Sequence, residues 1–154
     1  MPDDLAAMAK RSESIDTVGF VWPIITSLLG LLLVLLIVFL LWLFNSFFPT
    51  RLVQSIIDLI YANIGLIFVM SVAFNYGAYL YKFSPPTSAV APLITSIGAV
   101  FLVFFILSIL RILVPDNVGL VPLIDLIQGN LLLIFAVLLA AGYAVYFLRI
   151  TRSE

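Results

Sequence analysis

Pro23-Ile24-Ile25-Thr26-Ser27 returns later in the chain as Pro92-Leu93-Ile94-Thr95-Ser96, and Ile57-Asp58-Leu59-Ile60 returns as Ile124-Asp125-Leu126-Ile127. From Ile57 onward the two copies run without a gap. They pair Asn63 with Asn130, Leu66-Ile67-Phe68 with Leu133-Ile134-Phe135, Ala73 with Ala140, Tyr76 with Tyr143, Tyr79 with Tyr146 and Lys82 with Arg149. Two unrelated apolar helices could share Leu and Ile by chance. They would not also match an acid, an amide, two phenols and a terminal base in register. Residues 23–84 and 92–151 therefore read as a tandem duplication of one unit.

The unit is a membrane hairpin. A chain of 154 residues that is 64% hydrophobic and only 10% charged has too little polar surface to cover a soluble domain. Uncharged stretches run from Phe20 to Thr50, Leu59 to Tyr81, Phe83 to Leu110 and Leu126 to Leu148. At about 1.5 Å per residue each can cross a hydrocarbon core of roughly 30 Å. The expected fold is an all-α integral membrane protein with four transmembrane helices, formed by a tandem repeat of a two-helix hairpin. Two spans per repeat make the repeats parallel, related by an axis along the membrane normal.

The expected organisation is a tail over residues 1–19, a first hairpin over 20–84, a Pro-rich link over 85–89 and a second hairpin over 90–154. The tail is polar, and with more acids than bases it lacks the cationic face of a strong membrane-surface helix. The first apolar stretch is too long for a secretory signal and offers no small-residue cleavage site, so it is expected to stay in place. Pro23 and Pro92 fall at the start of the first and third spans, where a ring without an N–H is tolerated. If a helix begins earlier, Thr26 and Ser27, or Thr95 and Ser96, can bond nearby carbonyls. Residues 47–55 and 114–122 are expected to turn at one interface.

Basic residues set the orientation. Lys10, Arg11, Lys82, Arg149 and Arg152 fall on one side and only Arg51 and Arg111 on the other, which predicts both termini in the cytoplasm. With no His and no Cys, imidazole base catalysis, thiol nucleophiles and soft metal sites are excluded. No enzymatic role and no cofactor are expected. The expected partners are the lipid bilayer and either further copies of the chain or other membrane subunits, not nucleic acid.

The candidate functional residues are those the two halves share. Asp58 and Asp125 stand at the head of the second and fourth helices, where a short acid cannot reach far toward water, and they are candidates for a cation-attracting outer entrance. Lys82 and Arg149 at the opposite ends read as anchors that snorkel to headgroups. At about 100° per residue, Asp58, Gly65, Ala73 and Tyr76 share one face of the second helix with Tyr61 at its edge. Asp125, Gly129, Ala140 and Tyr143 share the matching face of the fourth, edged by Gln128. Such a stripe serves as a packing seam or lines a path, and small-residue seams are the commoner use. Asn63 and Asn130 point elsewhere and read as structural amides bonded to a helix backbone or a hydroxyl. Two functions follow: a homo-oligomeric channel or transport protein with an acidic entrance, or a non-catalytic accessory subunit of a larger membrane complex.

Overall fold

The computed structural model describes residues 17–83, 87–115 and 119–151. The N-terminal tail, the Pro-Pro part of the central link and the Asp-Asn turn of the second loop lie outside these residues. Among the described residues every regular element is helical: α1 (Thr17–Phe47), α2 (Arg51–Ala62), α3 (Ile64–Leu80), a 3-10 turn (Thr87–Val90), α4 (Ala91–Leu113), α5 (Val121–Gly129) and α6 (Leu131–Thr151).

Three segments, Gly19–Phe47, Thr87–Leu113 and Leu131–Thr151, are long and apolar enough to cross a membrane, and α2 with α3 makes a fourth if that pair is one span. Large apolar side chains stay exposed along most of α1 and α6, and such surface is stable only in contact with lipid or another apolar surface. The length and apolarity of these helices support a membrane-embedded chain.

The second expected helix is not continuous. It breaks at Asn63, and α2 and α3 meet at 62°. At the break the Asn63 side-chain amide and its backbone N–H both donate to the Leu59 carbonyl, at 2.8 Å and 3.1 Å, a side-chain bond to the local backbone of the kind that favours helix ends. Asn63 itself has left helical geometry, with φ −113° and ψ 17°. Asn130 repeats the device between α5 and α6, donating to Leu126 O at 2.7 Å with φ −114° and ψ 30°. Each amide bonds the backbone of the helix that it terminates.

Two further expectations change in the same region. The connection after α1 is only three residues, Phe48–Thr50, because Thr50 caps α2 by accepting from the Val53 N–H and Asn45 Oδ1 accepts from the Thr50 N–H at 2.9 Å. The central link is partly helical, since Thr87–Val90 forms a turn that leads directly into α4. Pro92 sits in the first turn of α4, as expected. Pro23 instead lies inside α1, which begins at Thr17. There Thr26 donates to Trp22 O and Pro23 O, and Ser27 donates to Pro23 O at 2.7 Å.

The spans lie in a row. α1 packs on α3, α3 on α4 and α4 on α6, while α1 and α6 share at most marginal contact. Each hairpin buries equivalent residues: Pro23 and Pro92, Ser27 and Ser96, Val38 and Leu107, Ile57 and Ile124. Between the hairpins, α3 and α4 approach closely through small residues. A Cβ added to Gly98 would stand 3.1 Å from Ala73 Cβ, and one added to Gly77 would intrude on Thr95 Cγ2. Glycine lets the two helices approach closely at both crossings: an added methyl would have to displace Thr95 at Gly77 and would press on Ala73 at Gly98.

Candidate functional site

The shared acids sit on the two short helices α2 and α5. α2 is amphipathic, burying Ile57 while Arg51, Leu52, Gln54, Asp58 and Tyr61 face outward. It packs against both α1 and α4. α5 buries the equivalent Ile124 against α4 and leaves Asp125 exposed.

The two carboxylates have different surroundings. Asp58 Oδ1 accepts from Gln54 Nε2 at 2.9 Å, and Gln54 Oε1 accepts from Asn45 Nδ2 at 3.1 Å. This chain ties the acid to the end of α1 through neutral amides. Asp125 forms an ion pair with Arg111, the base in the last turn of α4. A basic partner compensates the charge of Asp125, whereas among the described residues Asp58 makes no ion pair. Arg111 has no basic counterpart in the first hairpin, where Trp42 stands at its position.

The expected stripe is divided by the breaks at Asn63 and Asn130. Asp58 and Tyr61 belong to α2, and the 62° bend carries them off the line of Gly65, Ala73 and Tyr76 on α3. Gly65 and Gly129 are exposed, with nothing within 4 Å of an added Cβ. Ala73 is buried against Gly98, so in the first hairpin the middle of the stripe serves as packing surface. Ala140, its match, is exposed on α6. Gln128 donates to Ser108 Oγ at 3.4 Å, joining α5 to α4.

The tyrosines lock each hairpin. Tyr76 Oη donates to Phe20 O at 3.0 Å, and Tyr143 Oη donates to Ala89 O at 3.1 Å. Each accepting carbonyl lies three residues before the hairpin's proline, so both hydroxyls fasten the start of one span to the end of the next. Neither phenol is a free lining group.

Some polar contacts were missing from the sequence reading. Asn75 Nδ2 reaches Ser27 Oγ at 3.0 Å across α1 and α3, and its counterpart Gly142 instead lets α6 close on Pro92 and Ser96. Ser88 and Tyr146 share a buried hydroxyl pair at 3.1 Å. The Arg149 guanidinium lies over the Tyr81 ring at 5.6 Å, an attraction between cation and ring face at the end of the hairpins. Polar atoms on apolar helices were the only available signal, and it could not say which of them meet. Comparison with protein-family models, with curated proteins and with solved structures found no match to this chain.

Proposed function

We propose that the protein is a four-span integral membrane protein that self-associates and works as a channel or transport protein, with an acidic outer entrance that favours cations. Its two hairpins are parallel repeats, and both termini are cytoplasmic. The repeat reading is supported by equivalent residues being buried within each hairpin, by equivalent tyrosine bonds and by breaks at equivalent asparagines. Orientation rests on the five-to-two distribution of basic residues.

The observation that carries the functional reading is Asp58. Its carboxylate is exposed at the end of the bundle that would face outward, held by Gln54 and, among the described residues, not paired with a base. A fixed carboxylate of this kind concentrates cations near a pathway mouth. A row of four helices does not enclose a path, so the wall of the pathway is completed by further copies. In this reading Asp58 provides most of the attraction and Asp125 little, because Arg111 compensates it.

The accessory-subunit reading is favoured by a different observation: Ala73 and Gly77, two of the small residues of α3, are consumed in packing against α4. The two readings separate in one experiment. Protein purified alone is tested for a discrete oligomer and then for cation flux in vesicles, with Asp58→Asn and Asp125→Asn compared. The transport reading expects an oligomer whose flux or cation selectivity falls more in D58N than in D125N. A monomer without flux supports the accessory reading, and flux unchanged by D58N removes the acidic entrance.

A further inference from the structure

The two halves bury different amounts at equivalent positions, and the differences fall on one surface. Ala91 is fully buried while its counterpart Trp22 is 57% exposed, and Gly98 is buried while Leu29 is 59% exposed. On the other helices Ala73 and Gly77 are buried while Ala140 and Ala144 are exposed. The first member of each pair lies in the seam between α3 and α4, where the first hairpin meets the second. Each exposed counterpart lies on α1 or α6, the helices that flank the row and have no such neighbour.

We infer that α6 of one copy packs against α1 of a second copy of this chain, repeating between molecules the seam that α3 and α4 make within one. The inference rests on the self-associating reading proposed above and specifies the surface that reading needs.

Side-chain volumes support the pairing. Within the molecule Gly98 faces Ala73, Met70 and Phe74. The corresponding residues across the intermolecular seam are Leu29 facing Ala140, Val137 and Ala141. The glycine has become a leucine, while Phe74, whose ring meets Gly98, has become Ala141; Met70 meets Gly98 through its backbone carbonyl, so its change to Val137 adds no room there. The added volume on α1 is therefore met by removed volume on α6. Thr26 and Ala144 replace Thr95 and Gly77. The internal crossing has no room for a methyl beside Thr95, so the intermolecular seam is the wider of the two, as Leu29 also requires.

The exposed leucine face of α1 continues from Leu29 past Leu32 and Leu33 to Leu36. In the antiparallel arrangement of the internal seam, the exposed Val137 and Leu133 of α6 lie opposite it. Because the joined surfaces differ, the contact is head-to-tail. It propagates around a ring if the rotation closes.

The absence of Cys from the chain makes the test direct. Differently tagged Leu29→Cys and Ala140→Cys proteins are co-expressed, treated in membranes with a short dimaleimide and compared with each variant alone; a Thr26→Cys with Ala144→Cys pair is run in parallel. The expected result is a cross-linked heterodimer in both mixtures and little cross-linking of any variant alone. As a second measurement, Ala140→Phe should abolish the oligomer in mild detergent, while Leu132→Phe, at a more exposed site on α6, should leave it intact.

An oligomer that persists in A140F and gives no heterodimer in either mixture overturns this interface while leaving self-association standing. Efficient cross-linking of Leu29→Cys to itself replaces it with a symmetric α1 contact. Unmodified protein that is monomeric in membranes overturns both the interface and the self-associating reading.

Discussion

Gly77→Ala tests the internal seam at its tightest point. The added methyl would lie 3.4 Å from Thr95 Cβ and 3.5 Å from Thr95 N, and it would overlap Thr95 Cγ2. Thr95 has little freedom to yield, because its hydroxyl donates to Ala91 O at 2.9 Å and to Pro92 O at 3.0 Å, which fixes the rotamer carrying Cγ2 toward α3. Overpacking of this kind costs about 1–3 kcal/mol. Replacing Gly by Ala within a helix returns about 1 kcal/mol of helix propensity. The net expectation is a loss of about 0–2 kcal/mol in G77A. Removing Cγ2 by Thr95→Ser keeps the hydroxyl and takes away the overlapping atom. In that background the same G77A change should therefore become neutral or stabilising by up to about 1 kcal/mol.

The assay is reversible unfolding in mixed micelles for the four members of the double-mutant cycle. A coupling of about 1–3 kcal/mol, the overpacking cost itself, is expected, within the range for residues in direct contact. If Gly77→Ala stabilises equally in both backgrounds, the methyl meets no resistance and the close approach of α3 and α4 is wrong. If it destabilises equally in both, the resistance comes from elsewhere than Thr95.

The hairpin locks give a matched pair. Tyr76→Phe and Tyr143→Phe should each lower unfolding stability by about 0.5–1.5 kcal/mol, the usual worth of one hydrogen bond, and a loss in one hairpin alone would show that the two locks differ. Asn75→Ala removes the bond to Ser27 and should cost about 0.6–2 kcal/mol, as for other interhelical bonds in membranes; no loss would mean that Ser27 and Pro23 satisfy one another without it. Arg111→Gln should change stability by less than about 1 kcal/mol, since Arg111 and Asp125 are both about half exposed, but should raise cation attraction at Asp125. Equal flux with and without Arg111 would show that its pairing with Asp125 is irrelevant to the entrance. For topology, an impermeant thiol reagent applied from outside should label Gln54→Cys and spare Thr87→Cys, and the reverse pattern would invert the proposed orientation.

The alternation of long apolar stretches with short polar ones was sufficient to read the class of the molecule, because burying uncharged runs of that length in water has no stable solution. The correspondence between the two halves was also legible, since identities at Asp, Asn and Tyr stand out against a Leu-rich background. It led to residues that make matching bonds: Asn63 and Asn130 each donate to the carbonyl four residues back, and Tyr76 and Tyr143 each donate to the carbonyl three residues before a proline.

Helical phase misled where it assumed an unbroken helix through Asn63 and Asn130. The helix leaves regular geometry at both asparagines, and hydrophobic periodicity carries no trace of that choice. Only the tertiary arrangement decided that Asp125 meets Arg111, because that pair lies on two separate helices, α4 and α5, whereas Asp58 meets Gln54 one turn away on α2 itself. It likewise separated Ala73 from Ala140. Equivalent sequence dictates equivalent contacts within a hairpin, but α3 has a second hairpin to pack against and α6 does not, and that position in the row is a property of neither residue.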